Sequence, residues 1–361
     1  MQENINKNIF VVKNINGDIM KHKIDLSKYK IRTDLIIENE NIKNSKKKEK
    51  IKDDKKITFI NLNEKEANKL EKKAGIYITV QFDDVTDTYN QKEVTKMVAS
   101  SLKKLLKKMN IKEDASCLVI GLGNRNSTPD SLGPLVTDNI MVTRHLFILN
   151  EVDNSYRNVS IFLPGVMGST GIETSDLIFS VINHVKPDFI IAVDALASNS
   201  IERVNKTIQI TNTGIHPGSG VGNKRKEISQ EILNIPVIAI GIPTVVDAVS
   251  VVSDTINYMQ KHYAFHKKFI GSPLNRLVSS RKINYLKEEV KINEKDKSDL
   301  LGLIGLLSEN EIRNLIYEVL TPIGYNLMVT PKEIDFVIIK LAKVISDSIN
   351  IALQKNYPKV V

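Results

Sequence analysis

Two aspartates and one histidine have the residue type and setting to do chemistry. Asp130 stands in GLGNRNSTPDSLGP (Gly121 to Pro134), a glycine-rich turn directly after an apolar run. Asp194, in VDALASNS, closes the apolar run FIIAV. His216 lies in NTGIHPGSGVGNKR (Asn212 to Arg225), among Gly214, Gly218, Gly220 and Gly222. A buried, isolated carboxylate is costly, so Asp194 must be solvated, hydrogen-bonded or functional. Asp130 sits just before an expected helix start, where an aspartate also serves as an N-cap. Two carboxylates converging at one sheet edge can share a proton, because like charges a few ångströms apart do not both ionise cheaply. The ionised member then acts as general base on water and the protonated member polarises a carbonyl, which is the chemistry of peptide hydrolysis. The same pair with His216 equally makes an Asp/Asp/His divalent-metal site with an open water position. Sequence alone does not choose between the two.

Other chemistries fit poorly. The histidine loop lacks G-x-x-x-x-G-K-[ST] spacing, and GLGNRN fails G-x-G-x-x-G because Asn126 takes the last glycine position. Met167 replaces the first glycine of a G-x-S-x-G elbow in GVMGSTG, and no H-E-x-x-H occurs. Cys117 starts an apolar strand and reads as an inert buried thiol. Asp247, in PTVVDAV, reads as a first-turn residue favoured by the helix dipole. Backbone amides of Gly218, Ser219 and Gly220 are candidate oxyanion donors, since glycines permit close approach to a substrate.

The elements that must position these residues lie between Ala115 and Gln260. SCLVIGLG, VSIFLPG, DFIIAVDAL, IQITNTG and VIAIGIP read as strands, and GIETSDLIFSVINHV (Gly171 to Val185) and PTVVDAVSVVSDTINYM (Pro243 to Met259) as helices. Near-continuous apolar strands alternating with helices predict a doubly wound, largely parallel α/β sheet buried on both faces. Ligands in such a sheet sit beyond the carboxyl ends of the strands. Upstream, IYITVQF (Ile76 to Phe82) predicts a strand and VTKMVASSLKKLLKKM (Val94 to Met109) a helix. The lysine-rich run at 43–56 has too few apolar residues to repay ordering and predicts a mobile loop or linker. Residues 261–299 read as a charged, irregular connection, followed by helices at Glu309 to Leu320 and Thr330 to Leu353. Thr330, Pro331 and Glu333 look like the N-cap, first-turn proline and capping-box acid of the last. The expected organisation is therefore a 30–114 N-terminal part, a 115–260 catalytic core and a 261–361 C-terminal part whose helices pack on it.

The 361 residues allow one large or two ordinary domains. Net charge is +9, with 51 basic and 42 acidic residues. It divides unevenly: +8 over residues 1–114, −4 over 115–260 and +5 over 261–361. Every candidate catalytic motif lies in the acidic middle, and the amino-terminal lysines leave a nucleic-acid-binding module as a non-enzymatic alternative. One cysteine excludes an intramolecular disulfide framework and fits a reducing, cytoplasmic compartment. The start lacks the pattern of a signal peptide, and no apolar run reaches about 18 residues.

Taken together, GLGNRNSTPDSLGP, LPGVMGSTGIET, VDALASNSIERVNKTIQITNTGIHPGSGVGNKR, GIPTVVDA and VTPKEID resemble the germination proteases of endospore-forming bacteria. The resemblance runs from about Ile24 to Leu353. It implies an atypical aspartic-type endopeptidase that degrades small acid-soluble spore proteins, with Asp130 and Asp194 as its essential aspartates. It also implies a fold similar to hydrogenase maturation peptidases, in which Asp130, Asp194 and His216 would fall at metal-binding positions. No cofactor is otherwise expected. The resemblance further implies a forespore zymogen, a homotetramer, that removes its own N-terminal propeptide, here residues 1–29 with the cut near Tyr29 and Lys30. Nucleic acid would enter only through DNA-bound substrates, and no membrane is implied.

Overall fold

The computed structural model describes residues 10–13, 19–22, 33–39, 42, 47–52, 55–152, 156–216, 227–270, 292–320 and 327–358. The chain divides into a larger unit, residues 32–251 with 328–361, and a smaller one, residues 1–31 with 252–327. Its strands are β1 (Phe10–Lys13), β2 (Ile19–His22), β3 (Lys47–Lys52), β4 (Lys55–Leu62), β5 (Gly75–Gln81), β6 (Cys117–Gly121), β7 (Val159–Phe162), β8 (Phe189–Ser198), β9 (Thr207–Thr211), β10 (Val237–Asp247) and β11 (Met328–Val329). Its helices are α1 (Glu64–Lys69), α2 (Thr88–Lys108), α3 (Leu132–Thr137), α4 (Arg144–Ile148), α5 (Met167–Thr170), α6 (Thr174–Val185), α7 (Gln230–Leu233), α8 (Ala248–Ile270), α9 (Glu294–Leu301), α10 (Glu309–Leu320) and α11 (Ile334–Leu353).

The larger unit is built on one sheet in the order β3-β4-β5-β9-β10-β8-β6-β7, with β11 paired to β10. The α/β class holds, but parallel pairing is confined to β10, β8, β6 and β7. The other half, β3 through β9 to β10, is antiparallel. The parallel strands are apolar on both sides, as burial beneath helices on both faces requires. Along β8 the odd residues Phe189, Ile191 and Val193 join a core with α2, α3 and α11, through Val98, Leu102, Val136, Leu341 and Ile345. The even residues Ile190, Ala192 and Leu196 join a second core with Ile178 and Ile182 of α6. Each such side chain contributes about 1.5–3 kcal/mol when fully buried, so β8 is held from both faces.

Four expectations are corrected by the structure. Part of the lysine-rich run forms β3, paired antiparallel with β4. Ladder hydrogen bonds hold its backbone while every residue of β3 stays exposed. The segment beginning at Pro243 is not yet helix, because β10 runs on to Asp247 and α8 starts at Ala248. Helix α8 then continues to Ile270 and α9 opens at Glu294, so the segment from Lys261 is not uniformly irregular. Thr330 does not cap α11: that helix starts at Ile334, and the Thr330 hydroxyl donates to the Thr244 carbonyl at 2.9 Å, tying the helix approach to β10. In the smaller unit, β1 and β2 pair antiparallel, and Lys267 bridges Asp296 and Asp299, each at 2.8 Å.

Candidate active site

Asp194 belongs to the even row of β8, among Ile190, Ala192 and Leu196, and is buried with 4% of its surface exposed. The strand does not end there, although the apolar run FIIAV does. It continues to Ser198, because β10 keeps pairing beside it through Ala197 and Ser198. What ends is β6, whose last residue Gly121 pairs with Val193. The Leu122 amide then donates to the Val193 carbonyl at 2.8 Å as the chain leaves the sheet. Asp194 thus stands at the carboxyl end of the β6–β8 pairing, and its Oδ1 accepts from the Ala195 amide at 2.9 Å.

Asp130 returns to the same place by a closed loop. Residues Thr128–Asp130 form a 3-10 turn. The Asn124 amide donates to the Asp130 carbonyl at 2.9 Å, and the Asp130 amide to the Ser127 carbonyl at 2.8 Å. From β10, the Thr244 hydroxyl donates to the Pro129 carbonyl at 2.6 Å. Gly123 makes this closure possible. Its φ is +108°, and a Cβ there would lie 2.1 Å from the Asp130 carbonyl oxygen and 3.1 Å from its Oδ1. Gly133 does the same one turn on, where a Cβ would meet the Leu122 carbonyl at 2.2 Å. The half-buried Asp130 is not the helix cap: Ser131 holds that position at α3, with no side-chain cap bond.

His216 is exposed, with Nε2 3.5 Å from Glu227 Oε2; Glu227 also pairs with Lys73. Among the described residues, no three of His, Cys, Asp and Glu converge into a group able to hold a metal. Asp130, Asp194 and His216 therefore do not form a ready ligand set. Gly218, Ser219 and Gly220, the oxyanion candidates, lie outside the described residues, as do Tyr29 and Lys30. Cys117 is buried, and desolvation pushes its thiol pKa up, as an inert strand thiol requires. Asp247 is the last residue of β10; its Oδ1 accepts from the Val249 amide at 2.8 Å at the start of α8, and burial raises its pKa.

One feature escaped the reading of single residues: Thr33–Asn39 is stitched to the extension of β8 beyond Asp194. The Asp34 amide donates to the Ala197 carbonyl at 3.2 Å, and Asp34 Oδ2 accepts from the Ala197 amide at 2.9 Å. The Gln209 amide group holds both sides, accepting from the Ile36 amide at 2.8 Å and donating to the Asp34 carbonyl at 2.9 Å. Glu38 accepts from the Ser198 hydroxyl at 2.6 Å, from the Asn199 amide at 2.8 Å and from Thr33, and lies 3.3 Å from Arg203. Lys72 donates to the Thr33 carbonyl at 2.8 Å; burial lowers its pKa, while Asp34 and Glu38 oppose that shift. The sequence signal is an acid pair, Asp34 and Glu38, flanking Leu35 and Ile36, both fully buried.

Residues 24–359 match the family model described as Germination protease. Proteins named Germination protease are similar over almost the whole chain. That of Bacillus cytotoxicus is 50% identical over 353 residues, covering 92% of this chain and 96% of its own. That of Bacillus licheniformis is 50% identical over 356 residues, covering 93% and 96%. That of Priestia megaterium is 49% identical over 356 residues, covering 92% and 96%.

Proposed function

The chain belongs to the germination protease family and is an endopeptidase of that family; on that premise we propose that Asp130 and Asp194 together carry its hydrolytic chemistry. What supports the pairing is one run of backbone bonds, Leu122 amide to Val193 carbonyl and Asn124 amide to Asp130 carbonyl, which ties both aspartates to one strand end. The ionised carboxylate takes a proton from water, and the water oxygen attacks the scissile carbonyl carbon. The protonated carboxyl hydrogen-bonds the carbonyl oxygen as negative charge develops there. Collapse of the tetrahedral intermediate breaks the C–N bond, the amide nitrogen receives the proton, and an acid and an amine leave. General acid–base groups of this kind contribute about 10²–10⁴-fold each.

The substrates proposed are small acid-soluble spore proteins, cleaved during germination. The enzyme works in the forespore and spore core as a homotetramer that starts as a zymogen and cuts itself near Tyr29 and Lys30. No cofactor is needed, so rigorous chelation leaves turnover unchanged, and loss of activity restored by one divalent ion would revive a metal role for His216. Asp130→Asn and Asp194→Asn each abolish both cleavage of a spore-protein substrate and N-terminal self-processing. The assay is peptide release and mass of the mature chain; full activity in either variant removes that residue from the mechanism.

A further inference from the structure

Two elements, the edge strand β3 and helix α2, build a cationic face. Edge strand β3 reads KKEKIK, and its pairing with β4 sets Lys48 opposite Phe59 and Lys50 opposite Ile57. Ile57 and Phe59 pack on the core that contains α2, so Lys48, Lys50 and Lys52 line the α2 side of β3. The contacts agree: Lys52 Nζ lies 2.8 Å from Glu93 of α2, and Lys108 of α2 stands 4.3 Å over the Phe59 ring. Helix α2 carries six lysines and one glutamate, and that glutamate is already held by Lys52 and Lys96.

An open groove of about 510 Å³ lies along α2, lined by Lys96, Lys103, Lys104 and Lys107 together with Ala99 and Ile351. Among the described residues no acid pairs with Lys48, Lys50, Lys103, Lys104 or Lys107, and all five are exposed. Along β3 the lysines at 48, 50 and 52 recur about every 6–7 Å, and on α2 those at 92, 96, 103, 104, 107 and 108 cover roughly 24 Å of helix, most densely in its last two turns. Five strand spacings, roughly 24 Å, separate β3 from β8.

We propose that this β3–α2 face binds the phosphate backbone of duplex nucleic acid directly and without sequence preference. A dense run of lysine point charges over roughly 24 Å of α2, beside three more on β3, fits a polymer carrying one negative charge per ~1.7 Å of axis. Arginine forks that would read base edges and aromatic rings that would stack unpaired bases are both absent from the groove lining. An acidic polypeptide is the weaker fit, since its charges are sparser and irregular. The binding does not depend on the catalytic reading above; only its use, holding a peptidase on nucleic acid, rests on it.

The test is titration of a labelled 30-base-pair duplex of arbitrary sequence with the full chain, followed by fluorescence anisotropy from 50 to 200 mM salt. Binding falls steeply with salt, and the triple variant K103Q/K104Q/K107Q binds at least about tenfold more weakly, its log–log salt slope reduced by about 2–3. The variant K48Q/K50Q, on the other element, reduces the slope by about 1–2. Thermal melting and hydrolysis of a short peptide stay unchanged in both, because the lysines are exposed and lie outside the candidate catalytic segments. No binding by the parent protein at 50 mM salt, or an unchanged slope in both variants, overturns the proposal. Displacement of the duplex by poly-glutamate at equal charge concentration overturns the choice of nucleic acid.

Discussion

Asp194 interrupts an otherwise apolar row on β8, between Ala192 and Leu196, where a hydrophobic residue would pack at no electrostatic cost. Its Oδ1 accepts from the Ala195 amide, and the proposed hydrolytic role gives a carboxyl at this place a use that an apolar residue would not have. Asp247 makes the contrast: its carboxyl is also buried, but its oxygen closes the first turn of α8. Burial raises its pKa from the ordinary aspartate value, so the folded state holds that proton more tightly than the unfolded chain does. The sign follows: its contribution to stability is fullest below the unfolded pKa and falls as pH rises through the raised folded value. Asp247→Asn keeps the oxygen that accepts from Val249 and removes the charge. Its melting temperature should match the parent at pH 3 and equal or exceed it at pH 7, while peptide hydrolysis stays at the parental level.

At the scale of elements, the loop from Gly121 to Pro134 sets the position of Asp130. Gly123→Ala adds a methyl group where the Asp130 carbonyl oxygen stands, at a φ of +108°. The loop must open, and turnover should fall at least about tenfold with a destabilisation of about 1–3 kcal/mol, read by kcat and by denaturant unfolding. On the other side of Asp194, Glu38 ties residues 33–39 to Ser198, Asn199 and Arg203. Glu38→Gln loses the charge-assisted contacts and should cost about 1–3 kcal/mol by the same measurement.

The strands β5 to β10 and the longer helices α2, α6, α8, α10 and α11 were legible, because buried strands are apolar and these helices show helical spacing, whereas the short helices and the edge strand β3 carry no such pattern. The ends were not. Asp194 looked terminal because a carboxylate breaks an apolar run, and the continuation of β8 depends on pairing with β10, which sequence does not display. The β3 ladder was invisible for the same reason: backbone hydrogen bonds order KKEKIK without any apolar signal. Both candidate aspartates were legible from their motifs, whereas the docking of Asp34 and Glu38 beyond Asp194 rests on contacts across about 160 residues.

Over the whole molecule, the positive excess and the chemistry are separated. The candidate catalytic residues sit in the −4 segment, and the lysines without an acidic partner among the described residues stand on edge strand β3 and on helix α2. Among the described residues no helix is long and apolar enough to cross a membrane. Asp130 comes from the turn after β6 and Asp194 from β8, 64 residues apart in sequence, so the proposed pair depends on the fold as a whole. A pair that works as a unit is lost when either member is lost. The most direct test is a double-mutant cycle in kcat/KM for hydrolysis of one peptide by the parent chain, Asp130→Asn, Asp194→Asn and the double variant, each shown to be folded. If the two carboxyls act together, each single variant falls by about 10²-fold or more and the double variant is no worse than the poorer single one. Losses that simply add, or full activity in either single variant, would contradict the pairing.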